Sequence, residues 1–488
     1  MLSRDSGGVG SYRLDMTLAP ATPAFLDRLA QAVPAVRIDP PSARWLEEPR
    51  GKWTGQAAAI LRPSTVEDVS TILRMCNEAG IGVIPYGGGT GLVGGQLTSA
   101  EGVLVLSLDR MATIRASVPE DNMIEVEAGV TLQAVQQAAA DAGRLFPLSI
   151  ASEGTACIGG ILGTNAGGTA VLRYGNARDL VLGIEAVLAD GTIIRDLKRL
   201  RKDNTGYDLR HLLIGSEGTL GIITAASLRL LPRPAQRGTA FLAVDNPAGA
   251  LSLLHKLHSE LGEVITAFEL MHRQGLDFLA EFFPNMAHPL ENNPEWMVLV
   301  EVSAATGCAD ALQDALGAAF EDGLISDAVL AQSEAQRDAL WAIRETIPEG
   351  NRMTGAIMSH DISVPLSQLA DFVARGNELV RAIAPDARIN CFGHVGDGNL
   401  HYNVFPAPGR NRAEYKELQD SIQRAVHDLT HELGGSVSAE HGVGRFKVGD
   451  LERYSDPGRL RAQRAIKAAM DPNGILNPGA VLSGVPLG

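Results

Sequence analysis

The sequence predicts an α+β protein built from at least two units, and three observations carry that reading. From Ala57 onward short apolar strands alternate with helices and loops. Past Pro232 and Pro234 the style changes to long helices between single strands. Within the first unit, Pro85–Gly95 and Cys157–Gly168 are so rich in glycine that main chain there can approach a ligand closely. A length of 488 residues exceeds one compact core and suggests roughly two to four domains.

Taken in order, Thr22–Val33 has the period of a short helix, and a proline-rich connection leads to Arg44 and Trp45. Ala59–Arg62 reads as a strand, Thr65–Ala79 as a helix and Gly82–Tyr86 as a strand. Val103–Leu108 and Met123–Ala128 are strands, and Thr131–Ala142 is a helix. Val181–Leu188 and Thr192–Asp196 flank Asp190-Gly191, the two-residue turn of a β-hairpin. Lys202–Asp208 is a dense polar loop. In the second unit Ala248–Leu261, Ala309–Ala319, Ser333–Thr346 and Leu366–Ile383 are helical in period. Thr266–Leu270, Met297–Ser303, Ala356–Val364, Arg388–Phe392 and Asn399–Phe405 read as strands. That pattern predicts a ferredoxin-like arrangement, an antiparallel sheet half-covered by helices. Ala413–Leu433 is a helix closed by Gly434-Gly435, and Pro457–Met470 is the last.

Gly89, Gly91 and Gly94 spell Gly-x-Gly-x-x-Gly after a strand. The βαβ version is rejected, because only Gln96–Gly102 precede the next strand and a crossover with its helix needs at least about ten residues. A strand–loop–strand unit with exposed backbone amides suits an anion such as a dinucleotide pyrophosphate, and equally describes a mobile surface loop. Cys157–Gly168 is apolar as well as glycine-rich, so it is expected to be buried, and without Gly-Lys-Ser/Thr it is no P-loop. Gly215–Ile223 resembles a nucleophile elbow only superficially, since Ile214 stands two before Ser216.

Lys and Arg number 42 against 57 Asp and Glu, a net charge of −15 that opposes nucleic-acid binding and gives no support for anionic lipid. Cys76, Cys157, Cys308 and Cys391 are isolated, which argues against iron–sulfur clusters, zinc ribbons and a disulfide framework and fits a reducing cytoplasm. No apolar run is long enough for a membrane span. Met1–Asp15 lacks a signal core and carries Asp5 and Asp15, unlike a transit peptide, and Met16 is a second candidate start.

The densest chemistry lies in His394–Asn403, with two histidines, two asparagines and a carboxylate around a Gly-Asp-Gly turn. Strand alternation puts His401 and Asn403 on one face, and the turn can bring His394 to them. Ala439-Glu440-His441-Gly442 adds another carboxylate and imidazole. Nitrogen and oxygen ligands with an open position describe a catalytic divalent metal; turn chemistry at a solvated surface is the alternative. His427 and His431 stand four apart, but His-Asp-x-x-His is not His-Glu-x-x-His, and a solvated helix face is the reading there.

Together, Pro85–Gly95, Cys157–Gly168, Leu172–Asp179, Arg201–Leu209, Gly215–Thr224, His394–Asn403, Glu440–Gly442 and Gly474–Pro478 resemble the FAD-linked D-2-hydroxyacid dehydrogenases over about residues 55 to 480. That family includes D-2-hydroxyglutarate dehydrogenase, D-lactate dehydrogenase (cytochrome) and the flavoprotein subunit of glycolate oxidase, with the vanillyl-alcohol oxidase type of flavin fold. The resemblance implies an N-terminal segment (1–54), a two-lobed FAD-binding domain (55–234), a cap or substrate domain (235–445) and a segment returning to the flavin (446–488). It implies FAD held by Pro85, Gly87, Gly88, Gly89, Thr90, Gly91, Leu92, Gly159, Gly160, Thr164, Asn165, Gly167, Gly168, Gly218, Gly221, Ile223 and Asn477. Thr90 stands where a covalent link would need His or Cys, so noncovalent FAD is expected. His394, His401 and Glu440 would bind a divalent metal, Zn²⁺ by preference; His441 would be the general base; Arg344 and Asn403 would contact substrate.

The chemistry gives such a site a task. Neutral imidazole taking an alcohol proton faces a gap of ~9 pKa units, about 12 kcal/mol, which a bound Zn²⁺ would largely close. Relatives acting on the five-carbon diacid carry a Lys ahead of Asp361 and a hydroxyl shortly after the Arg; here Met358-Ser359-His360 and Pro348 stand there. Either His360 takes over part of the grip on the second carboxylate, or the substrate has a neutral or shorter side chain. The expected activity is oxidation of a D-2-hydroxyacid, with electrons leaving to a protein or quinone because no Rossmann unit for NAD is visible; a homodimer is left open. The rivals are a metal-free flavin oxidase, a zinc hydrolase on the same histidines, and a noncatalytic subunit of a larger flavin complex.

Overall fold

The computed structural model describes residues 18–51 and 53–483. The readings of Met1–Asp15 and Met16 lie outside the described residues.

Two sheets form the first unit. In one, Ala59–Arg62, Leu104–Ser107 and Val83–Tyr86 run parallel, with Arg37–Asp39 added antiparallel at one edge. The link from Val83–Tyr86 to Leu104–Ser107 contains no helix, so the glycine-rich loop is an open strand–loop–strand connection. The helix Val66–Ala79 begins at a capping box between Thr65 and Asp68, with Glu67 and Asp68 in its first turn. Phe25, Leu29 and Val33 join the core beneath this sheet. The second sheet is antiparallel, in the order Ile114–Val118, Met123–Glu127, Ile222–Arg229, Val181–Val187, Ile193–Asp196. Cys157–Gly168 is buried as expected at its apolar positions, but it folds as the helix Ile158–Thr164 rather than an open loop.

The second unit is one antiparallel seven-stranded sheet, in the order Asp327–Leu330, Gln236–Val244, Trp296–Ala304, Ile265–His272, Arg388–His394, Asn399–Phe405, Met358–Ser363. The half-covered sheet of the sequence reading is corrected. Helices Pro247–Leu261, Cys308–Glu321, Leu369–Ile383 and Gln419–Glu432 cover one face, while Arg273–Phe282 and Glu334–Thr354 cover part of the other. Trp296–Ala304 shows why, being a nearly continuous buried apolar run rather than an alternating one. The helix expected to end at Thr346 runs on to Thr354 through Pro348. Packing of Leu340, Trp341, Ile343 and Ile347 on the sheet offsets the hydrogen bond that proline cannot make to the Arg344 carbonyl.

After the last helix the chain returns to the first unit. Val83 N–H donates to the Ile475 carbonyl at 2.8 Å and Asn477 N–H to the Val83 carbonyl at 2.9 Å. Among the described residues, no helix is long and apolar enough to cross a membrane.

Candidate active site

Strand register assembles the site on the sheet face that meets the first unit. Asp361 lies opposite His401, and Ser359 opposite Asn403, so these four side chains share one face. Glu269 lies opposite His394 on the next strand pair, which places both at the centre of that face. The loop after Ser436, whose backbone pairs with Ser363 at the sheet edge, then brings Glu440 and His441 across. Asp361 fixes that loop: its Oδ2 accepts from the Glu440 and His441 amides, both at 3.0 Å, and its Oδ1 accepts from Asn399 Nδ2 at 3.0 Å.

His394, His401 and Glu440 offer ligand atoms within 4.8 Å of one another. His394 Nε2 is 3.6 Å and His401 Nε2 3.8 Å from the Glu440 carboxylate. Behind them, His394 Nδ1 meets Glu269 Oε1 at 2.6 Å, Arg344 Nε donates to Glu269 Oε2 at 2.8 Å, and Arg344 Nη2 lies 2.8 Å from the same oxygen. A carboxylate on the far nitrogen of an imidazole is the outer-shell arrangement that orients a histidine ligand. Two imidazoles and a carboxylate with that support fit a divalent ion of the zinc type.

Charges follow from burial and pairing. Burial alone would raise the Glu269 carboxyl, but His394 and Arg344 hold it down at about 2. Burial would lower His394, yet Glu269 and then Glu440 raise it to about 9, so in the metal-free site the imidazole carries a proton that a metal would replace. His401 is held well below its ordinary value by burial, against the pull of Asp361. His441 is lowered too, first by burial and further by the Lys447 cation, while Asp361 opposes. Its Nδ1 lies 3.4 Å from Asp361 Oδ2, so a proton on Nδ1 would face that carboxylate and leave Nε2 able to accept another.

Opposite this cluster lies a cavity of about 1280 Å³ shared by both units. Its wall includes Pro85, Gly87–Leu92, Gly159, Gly160, Thr164, Gly167, Gly168, Gly218, Gly221, Ile223 and Asn477, together with Arg344, His394, His401, Asn403, Glu440 and His441. The glycines are needed for close main-chain approach. A Cβ on Gly88 would lie 2.0 Å from the Thr155 carbonyl oxygen, and one on Gly87 3.3 Å from the Gly160 backbone. This backbone-lined cradle fits a long flat cofactor. Gly168 N–H donates to Glu440 Oε1 at 2.9 Å, joining the cradle to the cluster.

Three expectations are corrected. Asn165 is not on the wall: at φ +52° it caps the helix Ile158–Thr164, and its Oδ1 accepts from Arg178 N–H at 2.9 Å. His360 does not face the Asn403 side. One residue out of phase with Asp361, it points to the opposite face and meets His427 Nε2 through Nδ1 at 3.2 Å, although it and His427 both border the cavity. The residue on the site face is Ser359. His427 is buried rather than solvated, with Nδ1 3.2 Å from Asp450, whereas His431 is exposed. Arg344 faces the cavity but shares its donors with Glu269, so it is no free carboxylate clamp. Sequence reasoning assigned no role to Glu269, Asp361 or Lys447; applying strand alternation backward from Asp361 would have selected Ser359.

Comparison with known proteins agrees with this geometry. Residues 57–196 match a family described as FAD binding domain, and residues 233–481 one described as FAD linked oxidases, C-terminal domain. The chain is 38% identical over 448 residues to "D-2-hydroxyglutarate dehydrogenase, mitochondrial" of Bos taurus, covering 91% of this chain and 80% of that one. It is 35% identical to D-2-hydroxyglutarate dehydrogenase of Xanthomonas citri pv. viticola, covering 92% and 95%. Its fold matches p-cresol methylhydroxylase with a TM-score of 0.72 at 17% identity, over 96% of this chain and 99% of that one, which establishes the vanillyl-alcohol oxidase type of architecture.

Proposed function

We propose a function from one premise: the chain belongs to the FAD-linked D-2-hydroxyacid dehydrogenases, and it oxidises a D-2-hydroxyacid to the 2-oxoacid with the help of a divalent metal. The observation that carries the reading is the neutral His441, braced by Asp361 and set beside His394, His401 and Glu440 over the cofactor cradle.

His441 Nε2 takes the hydroxyl proton, and Asp361 then balances the imidazolium through Nδ1–H. Arg344, with Nε and Nη2 held by Glu269, keeps Nη1 for a substrate oxygen, and Asn403 supplies a buried amide on the same face. His394, His401 and Glu440 would hold a divalent ion, whose Lewis acidity would ease loss of the hydroxyl proton. The glycine-rich cradle would hold FAD, which would supply the hydride acceptor for the oxidation at carbon 2. Pro85–Leu92 and the helix Ile158–Thr164 line that cradle and would present backbone to the cofactor.

Pro348 and Ser359 line the cavity at the positions weighed for a grip on a second carboxylate, and neither carries a charge, which supports a small D-2-hydroxyacid such as D-lactate alongside D-2-hydroxyglutarate. The electron acceptor on this reading is a protein or quinone. Four buried, unpaired thiols favour a reducing compartment. The test is anaerobic mixing of the flavin-loaded protein with D- and L-2-hydroxyacids. Bleaching of the flavin by D-isomers only is expected. No bleaching by any 2-hydroxyacid, or bleaching that survives complete metal removal, would overturn the reading or its metal-dependent part respectively.

A further inference from the structure

The cations bordering the cavity are not equivalent. Arg344 is bound by Glu269, Arg352 is paired with Glu349 through two bonds, and Lys447 donates to the Val437 carbonyl and the Ser438 hydroxyl. Arg50 lines the same cavity, and among the described residues its guanidinium has neither hydrogen-bond acceptor nor ion-pair partner. It stands at the tip of a tight turn. Glu47 and Thr54 form an antiparallel bridge, Glu48 N–H donates to the Trp53 carbonyl at 3.0 Å, and Arg50 N–H donates to the Glu48 carboxylate at 2.8 Å. Gly51 at φ +65° closes the turn, and Trp53 packs on Phe446 with ring centroids 5.7 Å apart. The turn is therefore anchored to the loop that follows His441.

The charges acting on His441 are those of Asp361, Lys447, Glu440 and Arg50, and Glu48 and then Asp361 act on Arg50 in turn. Arg412 also lines the cavity without an ion pair, but it is not among them. An anionic substrate entering beside Glu269, Asp361 and Glu440 needs a cation whose donors no protein carboxylate already occupies. In a 2-hydroxyacid the carbon 1 carboxylate is attached to the carbon bearing the hydroxyl, so it cannot be far from the group His441 serves. The carboxylate at the other end has no such constraint.

We infer that Arg50 is a substrate-binding residue whose guanidinium pairs with the carbon 1 carboxylate of the 2-hydroxyacid, beside the hydroxyl that His441 deprotonates. The inference rests on the functional reading above. Because every 2-hydroxyacid has this carboxylate, Arg50 serves diacid and monoacid alike and sets affinity rather than choice of side chain. The turn around Arg50, outside both glycine-rich cofactor segments, thus supplies part of the substrate site.

The experiment compares the wild-type, R50Q and R50K holoenzymes. It reads KM and kcat for D-2-hydroxyglutarate and D-lactate with a dye acceptor, calorimetric Kd for 2-oxoglutarate, and the flavin midpoint potential. In R50Q, KM for both acids and the Kd should rise on the order of 10- to 100-fold, the loss expected for a charge-assisted bidentate pair. R50K should recover part of it, and the potential should not move. Unchanged KM and Kd, or a rise confined to the diacid, would overturn the assignment. A shifted potential with unchanged KM would overturn it by placing the guanidinium on the flavin. A wild-type protein that binds 2-oxoglutarate without oxidising either acid would sink the functional reading while leaving Arg50 to be judged by Kd. If 2-oxoglutarate does not bind, both fall.

Discussion

Replacing Asp361 with asparagine removes the charge behind the proposed base while keeping its size, and turns an amide NH2 toward one set of its present N–H donors. The carboxylate is buried, with Oδ2 3.4 Å from His441 Nδ1. Burial would raise its pKa, but His441 and Lys447 hold it well below the ordinary range, so it is ionised at every working pH. When His441 takes a proton, the new cation faces that charge. At an effective dielectric of about 20, a pair at this separation is worth about 5 kcal/mol, all of it absent before the proton moves. At about 1.4 kcal/mol per tenfold, D361N should lower the rate of flavin reduction on the order of 10³-fold, with the amide's residual dipole tempering the loss. Stopped-flow bleaching of the flavin measures that rate directly. KM should stay within about threefold and flavin content should be normal, because Asp361 touches neither the substrate carboxylate nor the cradle. A reduction rate within tenfold of wild type, in protein retaining its flavin, would refute the assignment of His441 as base.

Other outcomes follow from the same geometry. H401A and E440Q should each remove most of the bound divalent metal as counted by plasma mass spectrometry, since a site with three protein ligands tolerates no loss. E269Q should destabilise the metal-free protein by about 3–5 kcal/mol near neutral pH, seen as a lower Tm, because Arg344 and His394 are left buried without their counter-charge. Glu269 is held at about 2, so its contribution is full above its unfolded value of 4.5 and fades as pH falls toward 2; the melts of wild type and variant should converge only in strong acid. G88A should purify without flavin, because its Cβ would sit 2.0 Å from the Thr155 carbonyl oxygen. Burial pushes the Cys76 and Cys391 thiols up to about 12 and Cys157 to about 11. A thiol-specific chromophore at pH 8 should therefore label none of them until denaturant is added.

What the sequence disclosed depended on range. Alternation along Asn399–Phe405 correctly put His401 and Asn403 on one face, because the period of a strand is a local property. The helix-free connection after Tyr86 was also legible, since the residues available cannot hold a crossover helix. Glu269 was invisible: it meets His394 only because Ile265–His272 lies beside Arg388–His394 in the sheet, 125 positions away in sequence. Arg50 was hidden likewise, in a turn whose neighbours come from the far end of the chain. His360 was misjudged because chemical type was weighed before phase: the imidazole caught the eye, while the period of two put Ser359 beside Asn403. Pro348 misled the helix boundary because packing on the sheet outweighed a lost hydrogen bond.

The strand-like return at Val83–Leu476 has a consequence for how the protein is made. Asn477 Nδ2 donates to the Gly95 carbonyl, 382 residues earlier, and to the Glu217 carbonyl, while its Oδ1 accepts from Arg445. One wall of the cofactor cradle thus waits on a residue translated long after the glycine-rich loop. At roughly 5–20 residues per second, Gly95 leaves the ribosome about 20 to 75 s before Asn477. During that interval the glycine-rich loop has no partner for this bond, and the nascent first unit offers FAD an unfinished seat. A ribosome-stalled chain ending before Asn477 should therefore retain less flavin than one that extends past it.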